Sequence, residues 1–348
     1  MSGGAGLHRN TMIDLKLDVP LEGLTTFGLR STAEAYAEAA TTDELRAALA
    51  AARERNLPVH FLGGGANTVA MPRVKGLVVR VTMKGFDARR AADGDVLVTA
   101  AAGEVWDEVV SRTVAQGFGG LENLAAVPGT VGGAVVQNIG AYGLELAERL
   151  ESVTVYDRSS ESVRMLTREA CDFGYRHSIF KTEAGKDLVV LSATLRLPGE
   201  WSPVMTYKGL DEALGDAEPT PAALEAVVRA IRAKKLPDPK VLGNAGSFFK
   251  NPVVPKVAAR PLLTVHQSLV AYPLGGARVK LAAGWLIEQA GFKGYRSGPV
   301  GVCENHALIL VNYGGATGED VLRLMKEITA GVETKFGIAL EPEPVFLE

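Results

Sequence analysis

Cysteine is nearly absent: Cys171 and Cys303 are the two thiols in 348 residues, and they form no motif with each other. So little cysteine in so long a chain fits a reducing cytosol with free thiols. The five histidines and two cysteines show no metal-ligand spacing, so no metal is expected. Every apolar run is broken by Gly, Pro or a polar side chain before about 18 residues, which argues against a membrane-spanning helix. The opening residues, MSGGAGLHRNTMIDLKLDV, lack the apolar stretch of a signal peptide. Basic residues are scattered and net charge is −3, so no block points to nucleic acid or a membrane surface. The expectation is a cytoplasmic protein whose anionic ligands are met by a few local cations.

What is present is glycine, 39 residues of it, clustered at 63–65, 117–120, 129–133 and 243–246. Glycine is costly inside helices and strands, so clusters mark turns or backbone brought close to a ligand. Between them small α/β units alternate. Thr41 and Glu44 read as a capping box opening a helix over 43–56. Strands are expected at 59–62, 76–82, 95–101, 153–157 and 188–197. Thr220 and Pro221 open a second helix that runs to about Lys235. Residues 280–289 read as a helix with Lys280 at its start, and 318–335 as another with Val321, Leu324, Met325, Ile328 and Val332 on one face. The prolines of Lys235-Leu236-Pro237-Asp238-Pro239 mark the best domain boundary, with a weaker one in the charged stretch Met83 to Ala92.

Two glycine loops carry the first chemical signal. A strand running into Gly63-Gly64-Gly65-Ala66-Asn67 offers successive backbone N–H groups to a pyrophosphate. It is not the G-x-G-x-x-G dinucleotide fingerprint, and alone it also reads as a turn. The second loop, Pro128-Gly129-Thr130-Val131-Gly132-Gly133 followed by Gln137-Asn138, is rigid and hardly charged. A flat ring system can lie against it with the amides at its edge. Together the loops point to a bound dinucleotide.

The run Asn244-Ala245-Gly246-Ser247-Phe248-Phe249-Lys250-Asn251-Pro252 carries the second. It sets one hydroxyl between small residues and two aromatic rings, with a cation and an amide beyond. A serine so placed can pass a proton to a reacting carbon away from bulk water.

GGGAN, AAVPGTVGGAVVQNIGAYG, FGYRHSIFK, KLPDPK, NAGSFFKNP, KLAAGWLIEQAG and LEPEP follow one another in this order. From about Thr25 to Phe346 the chain resembles the UDP-N-acetylenolpyruvoylglucosamine reductases, the MurB flavoenzymes of peptidoglycan synthesis. SPVMTYKGL resembles the family's first type, in which a tyrosine loop covers the substrate.

The resemblance implies an α+β protein: a two-part FAD-binding region of the vanillyl-alcohol-oxidase (PCMH) type plus a smaller α/β substrate-binding domain. The implied domains are 20–85 and 86–236 for FAD, with a strand from 337–348 returning to the second, and 237–336 for substrate. It implies non-covalent FAD, NADPH as electron donor, UDP-GlcNAc-enolpyruvate as substrate, and a monomer. Gly63, Gly64, Gly65, Asn67, Gly129, Thr130, Gly132, Gly133, Gln137 and Asn138 would line FAD. Arg176 would hold the substrate carboxylate, Ser247 would donate a proton to the enolate, and a protonated Glu343 would support that enolate. Tyr207, Lys235, Asn251, Lys280 and His306 would meet the nucleotide and its diphosphate.

Two positions depart from the family pattern. Ala66 stands where serine is common, and His177 follows Arg176 where an acid is common, with consequences for FAD contact and for the arginine's orientation. Two other readings stay open on sequence: another FAD-dependent oxidase on this scaffold, with His60 just upstream of the first loop, and a non-enzymatic nucleotide-sugar binder.

Overall fold

A computed structural model describes residues 13–348; the segment read for a signal peptide lies mostly outside them. The first sheet runs Lys16–Pro20, Thr32–Ala39, Arg73–Val81, Val59–Leu62 in spatial order. Its last three strands are mutually parallel, and the Thr42–Glu54 helix connects the two outer ones of these. That helix starts where expected because Thr41 and Glu44 cap each other's backbone amides.

The second sheet is antiparallel, ordered Ser162–Thr167, Leu150–Asp157, Leu188–Leu197, Val96–Ala101, Phe86–Arg90. The charged stretch read as a weak boundary is therefore this sheet's edge strand, where alternate side chains reach water. The two sheets share one hydrophobic core, which runs from Leu45 and Leu77 through fully buried Trp106 to Val153 and Leu224. The helix Pro221–Lys235 closes that core and ends before Leu236, which is extended as a residue preceding proline must be.

The remaining residues build a sheet ordered Gly243–Ser247, Ile309–Asn312, Val300–Val302, Arg296–Ser297. Against it lies the helix Gly318–Phe336, whose Val321, Leu324, Ile328 and Val332 are fully buried. Each such side chain contributes about 1.5–3 kcal/mol of burial. A three-stranded sheet of Val253–Pro255, Arg278–Leu281 and Ala271–Pro273 flanks this unit.

Three expectations are corrected. Lys280 does not open a helix: it lies in the strand Arg278–Leu281, paired with Val253 and Tyr272, and the helix starts at Ala283. The glycine-rich 129–133 stretch is not wholly a loop, because Val131–Gln137 is a short helix with Thr130 at its N-cap. The chain end returns to the first sheet region rather than the second: Val345–Leu347 pairs in parallel with Thr68–Ala70. Hydrogen bonding decides this, since the strand after Asn67 otherwise has an open edge.

Candidate active site

The two glycine loops touch. A Cβ on Gly64 would meet the Gly129 Cα at 2.8 Å, and one on Gly63 would meet Thr130 Oγ1 at 2.6 Å. At Gly65 the constraint is doubled: φ is +63° and a Cβ would strike the Leu24 carbonyl at 2.3 Å. These glycines thus let backbone pack on backbone. Ala66 fits the same seam. At its inner wall Thr130 Oγ1 is buried with no partner among the described residues. A strand end, a cleared backbone and an unspent hydroxyl fit a bound FAD pyrophosphate.

Asn67 links this seam to the chain's end. Its Nδ2 donates to the Glu343 carbonyl at 3.1 Å, and its own carbonyl accepts from Val345 N. Glu343 N in turn donates to the Phe248 carbonyl at 2.8 Å, and Phe249 bridges Pro342. Residues from four distant parts of the chain, 63–67, 129–130, 247–249 and 342–343, are therefore neighbours through backbone contacts.

Arg176 closes the group. Its guanidinium donates through Nη2 to the Gly140 carbonyl at 2.9 Å and through Nη1 to the Asn138 carbonyl at 3.4 Å. Gly140 lies 3.1 Å from that guanidinium at the position a Cβ would take. Arg176 itself has φ +53°, a conformation costing on the order of 1–3 kcal/mol outside glycine. Its Nε reaches Glu343 Oε1 at 2.9 Å. The contact is an ion pair without a linear hydrogen bond, because the buried Nε–H has no acceptor in line.

Burial raises the Glu343 carboxyl above the ordinary range; Arg176, Lys181 and Lys250 pull it back without cancelling the effect. Two further groups emerge here that sequence reasoning passed over. Lys181 donates to Gln137 Oε1 at 2.9 Å and to the Arg176 carbonyl at 3.0 Å, and burial lowers its pKa. Tyr175 lays its ring under Lys280 Nζ, 4.3 Å from the centroid, and its hydroxyl accepts from Asn251 N at 3.3 Å. Both sit inside FGYRHSIFK, where a cation and an aromatic flank the arginine.

Ser247 is exposed and its hydroxyl makes no hydrogen bond among the described residues. It sits at an irregularity of its strand, next to Gly246 with φ +70°, and directly precedes the Phe248 carbonyl that receives Glu343 N. The Asn138 amide is spent inward, contrary to its expected place at a ring edge, whereas the Gln137 amide is committed through its oxygen alone. Gln137 accepts from Lys181, while fully buried Asn138 donates to Glu145 and the Gly174 carbonyl and accepts from Ala147 N. Gly132 N is likewise committed, to the Ala102 carbonyl, whereas Gly133 is exposed. His177 turns to Asp172 at 3.6 Å, so backbone carbonyls and Glu343, not residue 177, orient the arginine. His60 turns its Nε2 to the Lys75 carbonyl at 3.0 Å.

The cations expected around a diphosphate form a looser group. Lys235 Nζ stands 5.6 Å from the Tyr207 ring centre. His306 is held toward its neutral form by burial and then by Lys235 and Lys293, the latter unnoticed in sequence because a lysine after a helix end reads as a solvated charge. Lys280 is half-buried between Tyr175 and Tyr272, and burial lowers its pKa. Asn251 Oδ1 accepts from Ala283 N at 2.9 Å, capping the helix that Lys280 does not open. Among the described residues no three His, Cys, Asp or Glu side chains gather as metal ligands.

Residues 33–166 match a family described as FAD binding domain. A solvent-stable cholesterol oxidase shares the fold, with TM-score 0.51 and 14% identity over 95% of this chain and 87% of its own. Fold and site together define an FAD-binding α+β flavoprotein of the PCMH type. Residues 238–347 match the UDP-N-acetylenolpyruvoylglucosamine reductase C-terminal domain. Reductases of that name from Azoarcus sp. (strain BH72) and Pseudomonas aeruginosa are 48% and 46% identical, covering 95% of this chain and 97% and 98% of theirs. The crystal structure of the Thermus caldophilus enzyme, MurB, aligns with TM-score 0.67 and 25% identity over 97% of this chain and 99% of its own. The chain belongs to the UDP-N-acetylenolpyruvoylglucosamine reductase family. No described helix is long and apolar enough to cross a membrane.

Proposed function

We infer that this chain catalyses the NADPH-dependent reduction of UDP-N-acetylglucosamine enolpyruvate to UDP-N-acetylmuramate, a step of peptidoglycan precursor synthesis, with FAD as bound cofactor. The observation that carries the reading is the Arg176–Glu343 pair beside the Ser247 strand and the paired glycine loops. FAD held along the Gly63–Gly65 and Gly129–Thr130 seam would supply the hydride chemistry that links NADPH to the enolpyruvyl group.

The chain's own residues manage the charge that follows. Arg176, a permanently charged planar fork, faces the substrate carboxylate with one N–H not yet in line with any acceptor. Glu343, biased toward its protonated form by burial, donates a hydrogen bond to the enolate. The uncommitted Ser247 hydroxyl gives its proton to the carbon next to the carboxylate.

Thr130, Asn67, Gly129 and the Gly63–Gly65 backbone hold the cofactor, joined by exposed Gly133. Lys235, Lys280, Lys293, His306 and Asn251 form the nucleotide diphosphate site, over which Tyr207 lies. On this reading residues 20–236 carry FAD, 237–336 carry the substrate, and the end strand belongs with 20–85. The enzyme acts as a monomer in the cytoplasm, where its nucleotide-sugar and NADPH substrates are found.

The test is spectroscopic. Purified protein shows a flavin spectrum, bleaches anaerobically with NADPH and regains colour on adding the enolpyruvyl nucleotide. A colourless protein that FAD does not reconstitute sinks the reading.

A further inference from the structure

The Tyr207 segment is irregular from Trp201 to Thr206, yet it is fastened to the body at defined atoms. The fastening comes from Glu122 and Asn123, two polar residues of the single helical turn Glu122–Leu124 that are almost completely buried. Glu122 Oε1 accepts from the Trp201 indole N–H at 2.8 Å, while its other oxygen accepts from Gly120 N. Asn123 Nδ2 donates twice: to the Tyr142 carbonyl at 2.7 Å and to the Val204 carbonyl at 2.9 Å.

We propose that Asn123 is a positioning residue that ties the Tyr207 loop to the Tyr142 turn and so sets where Tyr207 stands. Two facing carbonyls fix the orientation of the amide, because only its nitrogen can serve both. The cost is visible: Asn123 Oδ1 is buried with no donor among the described residues. Beyond the tether the contacts are softer. The Tyr207 ring meets the Tyr142 ring edge-on at 4.8 Å, and Thr206 Oγ1 sits 2.2 Å from where a Gly143 Cβ would be. The loop base is thus locked by polar bonds, and the tip rests on an aromatic edge and a glycine gap.

The consequence for catalysis rests on the reading of Tyr207 as a substrate contact. Asn123→Asp keeps the shape but replaces the shared donor with an acceptor facing two carbonyls. Hydrogen exchange over 198–209, measured by mass spectrometry on the FAD-loaded enzyme, is expected to speed up. The KM for the enolpyruvyl nucleotide is expected to rise roughly tenfold, with FAD content and the rate of reduction by NADPH unchanged. Unchanged exchange in 198–209 overturns the inference. Faster exchange with an unchanged KM supports the tether and counts against Tyr207 as a substrate contact, so the two readings fail separately. Should Asn123→Asp not retain FAD, Trp201→Phe carries the test: it keeps an aromatic ring and removes the bond to Glu122 in the same fastening. Exchange that stays at the wild-type rate there overturns the inference as well.

Discussion

Arg176 Nε stands 2.9 Å from Glu343 Oε1, and the carboxyl is nonetheless shifted upward because burial outweighs its cations. An acid beside an arginine is ordinarily held ionised. Here desolvation wins, and an acid that faces a permanent positive charge gives up its proton less readily than a free carboxyl does.

That shift sets a pH dependence of stability. Below about pH 4.3 folded and unfolded chains both hold the Glu343 proton; above it the unfolded chain ionises first. The contribution of a raised acid is therefore present at low pH and lost as pH rises through the folded-state pKa. Glu343→Gln cannot titrate. Thermal unfolding from about pH 4 to about pH 8 should show wild type losing stability relative to the variant, then levelling off. A constant gap across that range rules out the shift.

Ser247→Ala should separate the half-reactions. The hydroxyl holds nothing in the scaffold among the described residues, so folding, FAD content and reduction by NADPH stay as in wild type. Reoxidation by the enolpyruvyl nucleotide should slow by about 10²–10⁴, the range for a lost proton donor. Stopped-flow absorbance reads both steps, and a wild-type reoxidation rate removes Ser247 from the mechanism.

Lys181 supports Arg176 from behind by donating to its carbonyl and to Gln137. Lys181→Met leaves two acceptors without that donor and should cost about 1–3 kcal/mol of stability. It also removes one of three cations that draw Glu343 downward. The alkaline limb of the activity profile should then move to higher pH. Movement to lower pH, or none, contradicts this electrostatic arrangement.

Gly64→Ala tests the loop seam. The new methyl would sit 2.8 Å from the Gly129 Cα, where only backbone can yield. Overpacking of this kind costs about 1–3 kcal/mol and should part the loops, so both FAD retention and melting temperature fall. A variant that binds FAD and melts like wild type would show that the loops do not need this contact.

Elements governed by neighbours in sequence were legible in advance. The helix at Thr42 was marked by its own capping box and Gly318–Phe336 by its apolar period. Lys280 misled because KLAAGWLIEQ has helical composition throughout, while its first residues pair with Val253 and Tyr272. Asn138 misled for a related reason: an amide beside a glycine loop looks available until Glu145, Gly174 and Ala147 consume it. Lys293 gave no signal at all, since its relation to His306 exists only in space.

The ordered motifs by themselves determined the family, the cofactor class and the identity of Arg176, Ser247 and Glu343 as the residues to watch, because short motifs encode side-chain chemistry and local backbone freedom. Tertiary structure alone decided that the chain's last strand lies beside Thr68–Ala70, bringing Glu343 to Asn67, Phe248 and Arg176. Desolvation, ion pairing and the competition for each buried amide depend on distance through space, and residues 176 and 343 acquire that distance only when the chain has closed upon itself.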